Sequence, residues 1–497
     1  MKKFVAALAA VAATAGCGVS STAPAAGAQP TPVVSRTTFG ALAECPGLPA
    51  LPTARCGQVT VPRDRRHPAD GTLTVSFALV PHTDTTRPGL GTIVPNPGGP
   101  GTSTIDVGGK SFDDALAPLL DRRDLLLIDP RGVGRSSPLS CPALAGPVRA
   151  FASLERQRTL IGECGRQLGD RADDYGSAAV ADDLDAVRAT LGLGRLDLLG
   201  VSYGTYLMAV YAQRHPTHVR TVTLAGAYAV NVDPNGEVAA AAFRRAVRLV
   251  CTRTAQCSGD QVLADLAAVL RRLRAHPSTV PVTFHGTVQT LPLDEWQLTS
   301  VAGRVYSSRP DTGAQLRLAG AVAAARHGDL GPVRELVADS LIEEATIYAY
   351  GPTVLSDAQQ WATTCHDYLR AYSYADGTAA RRADYDASVA GLDDAASAPF
   401  SARAWVSRAD FDSGACLNWP DDRTARSPFP AGAAMPGAPV LVLNGDLDAN
   451  TPSESGRAAA AQFPRATFVE IAGAGHTPAS TPEGAATIVR FIRDARR

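Results

Sequence analysis

The segment around Ser202 constrains the fold more than any other part of the sequence. The apolar run Leu196–Leu199 leads directly into Gly200–Gly204, which reads G-V-S-Y-G, and the helix-forming stretch Thr205–Gln213 follows. This order is typical of a strand that ends in a sharp turn and continues into a helix. Because a Cβ at either flanking glycine would crowd the turn, the motif favours a serine on a strained backbone with its hydroxyl above the sheet. The pattern predicts that Ser202 is a nucleophile.

The same alternation of apolar runs, turns and helical stretches extends over much of the chain from about Leu73 and predicts a mostly parallel sheet covered on both faces. The run Asp124–Asp129 lacks polar alternation, which indicates a central strand buried on both faces. Between Ala225 and Pro439 the rhythm is lost, and this region is interpreted as an inserted, largely helical cap. The predicted strands are Leu73–Leu79, Gly91–Pro95, Asp124–Asp129, Leu196–Gly200, Thr221–Ala225, Val440–Asn444 and Ala466–Ile471.

The N-terminus has the features of an export signal. Met1–Lys3 is basic, and the apolar run Phe4–Ala13 is too short to span a bilayer. Small residues then precede Cys17, as in a bacterial lipobox, although Thr14 stands where leucine is usual. We expect an exported protein whose only membrane contact is a lipid on Cys17, or alternatively ordinary secretion after cleavage near Ala26–Ala28.

These patterns divide the chain into five parts. Residues 1–17 are the expected signal peptide, and residues 18–38 form a flexible tether rich in Ser, Thr, Ala and Pro. Residues 39–235 and 426–497 form the two pieces of the catalytic core, with the cap at 236–425. The formal net charge of -1 gives no electrostatic reason to expect nucleic acid as a partner.

The cysteines support export, because an even set suits an oxidising compartment. Apart from Cys17, eight remain, and local spacing suggests four disulfides, although sequence alone leaves the connectivity open and some could be buried thiols. A metal site is not expected, since no Cys-x-x-Cys knuckle occurs. The suggested pairs are Cys45 with Cys56, Cys141 with Cys164, Cys251 with Cys257, and Cys365 with Cys416.

A serine nucleophile needs a base and an orienting carboxylate, which follow the serine in the order acid, then histidine, in this architecture. His476 lies in a loop after the predicted last strand and is the expected base. Two carboxylates follow the strand Val440–Asn444. Asp448 is favoured as the acid because it lies further into the loop, whereas Asp446 would cap the turn. Thr451 is placed to hydrogen-bond the carboxylate or to begin a helix.

A glycine loop after the second predicted strand is the expected oxyanion hole. Asn96–Gly101 reads N-P-G-G-P-G and offers backbone N–H groups that a substrate can approach closely. Gly99 is the first expected donor and the amide of Tyr203 the second.

Downstream, the segment Asp129–Ser137 is also rich in glycine, but it lacks the spacing of a phosphate-binding loop. A turn that braces the active-site loops is the favoured role.

Taken together, these motifs resemble the prolyl-iminopeptidase-like branch of the α/β-hydrolases, especially the secreted tripeptidyl aminopeptidases of actinomycetes. The resemblance implies an α/β-hydrolase fold with a cap that limits access and helps to recognise the free N-terminus of a peptide. A buried ammonium group needs an opposite charge nearby. The cap acids to test are Glu343 and Glu344, and Asp367 is a less favoured candidate. Equally, these acids could lie on a solvent-exposed helical face and bind nothing. The motifs are Pro97–Gly101, Asp129–Ser136, Gly200–Gly204, Gly445–Pro452 and Gly475–His476.

The expected activity is that of a serine exopeptidase, of tripeptidyl or prolyl type, that acts through an acyl-enzyme on peptide substrates. A carboxylic-ester or lipid hydrolase on the same scaffold, acting on small esters, is the alternative, and a binding protein without activity is the third hypothesis. No metal or organic cofactor is implied, because the serine, histidine and aspartate supply nucleophile, base and electrostatic stabilisation.

Overall fold

The computed structural model describes residues 42–230, 235–307, 311–422, 425–429 and 432–495. The expected signal peptide, the tether and the lipidation site at Cys17 lie outside these residues. No helix among the described residues combines the length and the apolar character needed to cross a bilayer.

A nine-stranded sheet forms the centre of the fold, and the predicted catalytic residues follow the carboxyl ends of its strands. The described strands are β1 (Ala43–Glu44), β2 (Arg55–Pro62), β3 (Thr72–Val80), β4 (Thr92–Asn96), β5 (Asp124–Ile128), β6 (Leu196–Val201), β7 (Val219–Ala225), β8 (Ser278–Phe284), β9 (Thr287–Leu293), β10 (Val440–Gly445) and β11 (Ala466–Ile471). The sheet order is β1-β2-β3-β5-β4-β6-β7-β10-β11. From β5 to β11 all neighbouring strands pair parallel, whereas β1, β2 and β3 add antiparallel pairs at the other end. The expected mostly parallel sheet is therefore confirmed.

Short polar side chains begin many of the helices by accepting a backbone N–H of the first turn, as Ser153 does from Arg156 and Thr481 from Gly484. The described α-helices are α1 (Gly109–Leu116), α2 (Leu154–Leu168), α3 (Ser177–Thr190), α4 (Tyr203–Arg214), α5 (Glu237–Thr254), α6 (Gly259–Ala275), α7 (Glu295–Val305), α8 (Thr312–Arg326), α9 (Gly331–Ala349), α10 (Asp357–Asp367), α11 (Thr378–Ala390), α12 (Asp394–Ser397), α13 (Ala402–Val406), α14 (Ser453–Ala461) and α15 (Pro482–Asp494).

Helices cover both faces of the sheet. One apolar cluster joins α3 and α4 to side chains such as Leu126 and Leu198, and a second joins α1 and α15 to their strand neighbours Leu127 and Leu199. Successive residues of a strand point to opposite faces, so both faces of β5 and β6 are buried. The sequence prediction for β5 is confirmed, because Leu125–Ile128 are at most 2% exposed.

The inserted region has its own apolar core, formed by α5 to α9 together with Phe400 and Trp405. It is not wholly helical, because β8 and β9 pair as an antiparallel hairpin. His285 and Gly286 form the tight turn with φ values of 48° and 78°, which is the conformation a two-residue hairpin favours.

A further apolar cluster joins the inserted region to residues outside 236–425. Leu160 and Ile161 of α2 lie in one apolar cluster with Trp361 of α10 and with Leu417. The segment that contains α2 follows β5 in the chain, and it packs against part of the region inserted between β7 and β10.

Four disulfides form within the described residues: Cys45–Cys56, Cys141–Cys164, Cys251–Cys257 and Cys365–Cys416. The pairing is the one that local spacing suggested. The last of them closes the longest loop, with a sequence separation of 51, whereas Cys251 and Cys257 are only 6 apart.

Removing these two disulfides should have unequal effects on stability. Chain-entropy theory assigns about 4 kcal/mol to the long loop of Cys365–Cys416 and about 2 kcal/mol to the short loop of Cys251–Cys257. We expect the paired alanine variant at Cys365 and Cys416 to unfold at a lower denaturant concentration than the paired variant at Cys251 and Cys257. Equal midpoints, measured by circular dichroism in urea, would contradict this expectation.

Candidate active site

Ser202 stands on a strained turn between β6 and α4, with φ 55° and ψ -124°. A Cβ on Gly200 would lie 2.2 Å from the carbonyl oxygen of Gly204, and a Cβ on Gly204 would lie 2.5 Å from that of Asn96. Both approaches are too close for any side chain. The two glycines of the motif therefore permit the turn that lifts Ser202 above the sheet.

Ser202, His476 and Asp448 form one chain of hydrogen bonds. The Ser202 Oγ lies 2.8 Å from Nε2 of His476, and Nδ1 of His476 lies 3.0 Å from Oδ2 of Asp448. Asp448 follows β10 and is fully buried, while His476 follows β11 and its side chain is 13% exposed. A neutral imidazole with both bonds carries its proton on Nδ1 and accepts the serine proton on Nε2.

The Asp448 carboxylate is held by the loop that follows it. Its Oδ1 accepts the backbone N–H groups of Asn450 and Thr451 at 2.7 and 3.1 Å. The Thr451 hydroxyl lies 2.8 Å from Oδ2 and 3.0 Å from Nδ1 of His476, so it can donate to the same oxygen that accepts the imidazole N–H. Of the two roles that the sequence left open for Thr451, the structure shows the hydrogen bond to the carboxylate.

Asp446, the competing acid, has a different environment. Its carboxylate pairs with Arg253 of α5 and accepts the backbone N–H of Gly473 at 2.8 Å. It does not contact His476. Asp446 therefore fixes the loop that leads to the histidine and joins that loop to the cap.

The glycine loop after β4 lies against the nucleophile. A Cβ on Gly98 would stand 3.0 Å from Cβ of Ser202 and 3.2 Å from the amide nitrogen of Tyr203. The N–H of Gly98 is already bonded to Oδ1 of Asn96 at 3.0 Å. Within the described residues, the amides of Gly99 and Tyr203 have no protein acceptor. These are the two donors that the sequence predicted for a developing oxyanion.

Asp129 braces the residues that follow the glycine loop. Its Oδ1 accepts the hydroxyl of Ser103 at 2.9 Å and the N–H of Thr104 at 2.8 Å, and its Oδ2 accepts the N–H of Arg135 at 2.8 Å. Burial nevertheless raises the pKa of this carboxyl. The contacts confirm the predicted bracing role of this turn.

A cavity of about 280 Å³ opens onto Ser202 beneath the cap. The hydroxyls of Tyr228 and Tyr368 are 2.6 Å apart, and burial raises the pKa of both phenols, so they remain neutral. The sequence did not identify these tyrosines, although Tyr228 follows the end of β7, where site residues are expected. The aromatic side chains of the wall are Tyr203, Tyr228, Trp361, Tyr368 and Phe411.

The cap acids expected to bind an ammonium group do not line this cavity. Glu343 is exposed on α9, and Glu344 pairs with Arg304 at 3.0 Å. Asp367 is buried outside the cavity wall, where it accepts the N–H of Ser177 at 2.6 Å and contacts Nδ1 of His366 at 2.7 Å. The sequence could not tell that α9 (Gly331–Ala349) contributes no residue to the wall of this cavity. The described acids of the cavity wall are Asp412 and Glu454.

One group of described side chains has the spacing of metal ligands, namely Asp185, His215 and His218. None of the three lines the cavity. The Asp185 carboxylate already accepts hydrogen bonds from Arg188 at 2.6 Å and from Tyr211 at 2.9 Å. This group is explained by an ion-pair network between α3 and the end of α4.

Comparison with known proteins gives matches to both peptidases and esterases. The chain is 36% identical over 185 residues to a tripeptidyl aminopeptidase of Streptomyces coelicolor, covering 34% of each chain. It is 34% identical over 208 residues to the serine protease Hip1 of Mycobacterium tuberculosis, covering 39% of each, and 30% identical over 198 residues to a carboxylesterase B of the same species, covering 37% of this chain and 38% of that one. The alignments thus span little more than a third of these relatives.

Among solved structures, a proline iminopeptidase of Mycobacterium smegmatis matches with a TM-score of 0.42 and 18% identity, over 88% of this chain and 98% of that one. The family described as having the alpha/beta hydrolase fold matches residues 91–481. That match covers well over half of the chain, and the protein therefore belongs to the α/β-hydrolase family.

Proposed function

We propose that this protein is a serine peptidase that removes short peptides or single residues from the free N-terminus of peptide substrates. The observation that carries the proposal is the chain of hydrogen bonds from Ser202 through His476 to Asp448, at 2.8 and 3.0 Å, at the floor of a covered cavity. In this proposal Ser202 is the nucleophile, His476 is the base, and Asp448 is the carboxylate that orients the histidine.

The geometry supports a two-step mechanism. His476 takes the proton of Ser202 as the hydroxyl attacks the substrate carbonyl, and the amides of Gly99 and Tyr203 stabilise the oxyanion. His476 then protonates the leaving amine, and water hydrolyses the acyl-enzyme by the reverse sequence. Asp448 keeps the imidazole in the tautomer that accepts the serine proton and stabilises its charged form.

The size and cover of the cavity favour short substrates. At about 280 Å³ it lies near the lower end of the range for small-ligand pockets, which is roughly 300–1,000 Å³. Residues of the cap, such as Trp361 and Phe411, line the same cavity as Ser202, and this limits the space for a folded protein. The names of the tripeptidyl aminopeptidase and of the serine protease among the relatives support a peptide as the substrate.

Export is part of this proposal. Disulfides persist in oxidising compartments, and the four in the structure support a location outside the cytosol. Lipidation of Cys17 would tether the enzyme to the cell surface.

An ester hydrolase is the second candidate, and the carboxylesterase relative supports it. The same nucleophile, base and oxyanion donors would act on either bond. Peptide and ester substrates therefore have to be compared directly.

A panel of four chromogenic substrates separates the candidates. We expect a tripeptide anilide with a free N-terminus to be cleaved faster than its N-acetylated twin, than a proline anilide and than a short-chain nitrophenyl ester. Activity should vanish in Ser202→Ala, because no other group replaces the nucleophile. Turnover of the ester alone would assign the protein as an esterase, and equal cleavage of the acetylated twin would contradict recognition of the free N-terminus.

The two aspartates after β10 provide a matched pair of variants. Asp448→Asn should lower kcat by about 10³–10⁴-fold, because an amide favours the wrong imidazole tautomer. Asp446→Asn should retain most of kcat and lose stability, since its carboxylate pairs with Arg253 and not with the histidine. Steady-state kinetics and thermal unfolding of both variants check this assignment, which similar kcat values would refute.

Variants of Thr451 test whether its hydroxyl helps to hold the Asp448 carboxylate. Thr451→Val removes the hydroxyl that lies 2.8 Å from Oδ2 of Asp448, and we expect kcat to fall by about 10-fold or more with little change in KM. Thr451→Ser keeps the hydroxyl and should recover most of the activity. If valine and serine have the same effect, Thr451 acts by packing alone.

A further inference from the structure

The charged side chains of the cavity wall differ in whether they have an ion-pair partner of their own. Among the described residues, the wall contains two arginines, Arg370 and Arg408, and two acids, Asp412 and Glu454. Whether each acid already has an ion-pair partner decides which charges are available to a substrate.

Both acids already have arginine partners. Asp412 forms a two-point pair with Arg158, with Nε to Oδ2 at 2.8 Å and Nη2 to Oδ1 at 2.7 Å, and the Arg158 side chain is only 2% exposed. The N–H of Gly414 adds a third bond to Asp412 at 2.9 Å. Glu454 pairs through both oxygens with Arg245, which comes from α5. A substrate cation would have to displace an existing guanidinium at either acid.

Arg370 has weak partners only. Its guanidinium donates to the Tyr374 hydroxyl at 3.4 Å and to the backbone carbonyl of Asp412 at 3.3 Å, and it lies 4.0 Å from Sγ of Cys416. No carboxylate of the described chain lies within ion-pair distance of it, in contrast to Arg158 and Arg245. All three acceptors are uncharged, and two of the bonds are at the long limit for hydrogen bonds.

We propose that Arg370 forms a subsite for a carboxylate of the substrate in the cavity that opens onto Ser202. A guanidinium presents five N–H donors in a planar fork that fits a carboxylate, and such charge-assisted bonds are about twice as strong as neutral ones. The inference rests on the proposed peptidase function, because a peptide supplies the carboxylate either from an acidic side chain or from its C-terminus. The enzyme then prefers peptides that place a carboxylate at this subsite.

Binding to the inactive Ser202→Ala variant tests this subsite without turnover. The probes are alanine-based tripeptides that carry Glu or Gln at each position in turn, each as the C-terminal acid and as the C-terminal amide. Comparing Glu with Gln in the amide series tests an acidic side chain, and comparing acid with amide in the Gln series tests the C-terminal carboxylate.

We expect at least one carboxylate to improve binding about 10-fold or more over its neutral twin, as a charge-assisted hydrogen bond would. The additional substitution Arg370→Met should remove that preference, and Arg370→Lys should retain part of it. Arg403→Met is the matched control, because it removes an exposed cation from the cap and should leave the preference unchanged.

Two outcomes would overturn the inference: neutral and charged twins that bind Ser202→Ala equally at every position, or a preference that survives in Arg370→Met. The comparison of charged and neutral peptides on Ser202→Ala does not require the Arg370 variant to fold. Parallel turnover assays on the wild type separate the two proposals. A carboxylate preference in binding without peptide cleavage would refute the peptidase function alone, and cleavage without that preference would refute the subsite alone.

Discussion

The parallel pairing of β7 with β10 is the interaction on which the candidate site depends. Val222–Ala225 lie opposite Val440–Leu443, so the chain returns to the sheet beside the strand it left before the cap. The N–H of Gly226 continues this register by donating to the carbonyl of Leu443 at 2.7 Å. A slip of one residue would exchange the two faces of β10 and displace the loop that carries Asp448.

This register brings together residues that are far apart in the chain. In the order β6-β7-β10-β11, the strands that precede Ser202, Asp448 and His476 end at the same edge of the sheet. The cap then fixes the two loops, because the N–H of His476 donates to the carbonyl of Ser307 and that of Ala449 to the carbonyl of Tyr306, both at 2.8 Å. The cap thus holds the loops of Asp448 and His476 in place, and it also limits the access of substrates to Ser202.

The cap also contacts the glycine loop on the opposite side of the nucleophile. The N–H of Ser356 donates to the carbonyl of Gly101 at 2.8 Å, and that of Ser103 donates to the carbonyl of Val354 at 3.0 Å. Backbone hydrogen bonds from the cap therefore hold the glycine loop as well as the loops of Asp448 and His476. Such support from the surrounding structure is what a strained backbone, like that of Ser202, needs in order to persist.

The sequence predicted the parts of the site that have local signals. Ser202, Asp448 and His476 each follow an apolar strand, and the chain order of a parallel sheet places such ends together. Arg370 and Tyr368 had no such signal, because their positions depend on how the cap helices pack over the sheet. Glu344 illustrates the same limit, since it lies on a cap helix but faces Arg304 and not the cavity.

Labelling with a fluorophosphonate probe identifies the nucleophile, because such a reagent reacts with an activated serine and leaves a stable mass tag. We expect a single adduct on Ser202 in the folded protein, located by peptide mass spectrometry, and a much slower reaction in Asp448→Asn. An adduct on another serine of the cavity wall, such as Ser455, or no adduct at all, would contradict the assignment of Ser202 as the nucleophile.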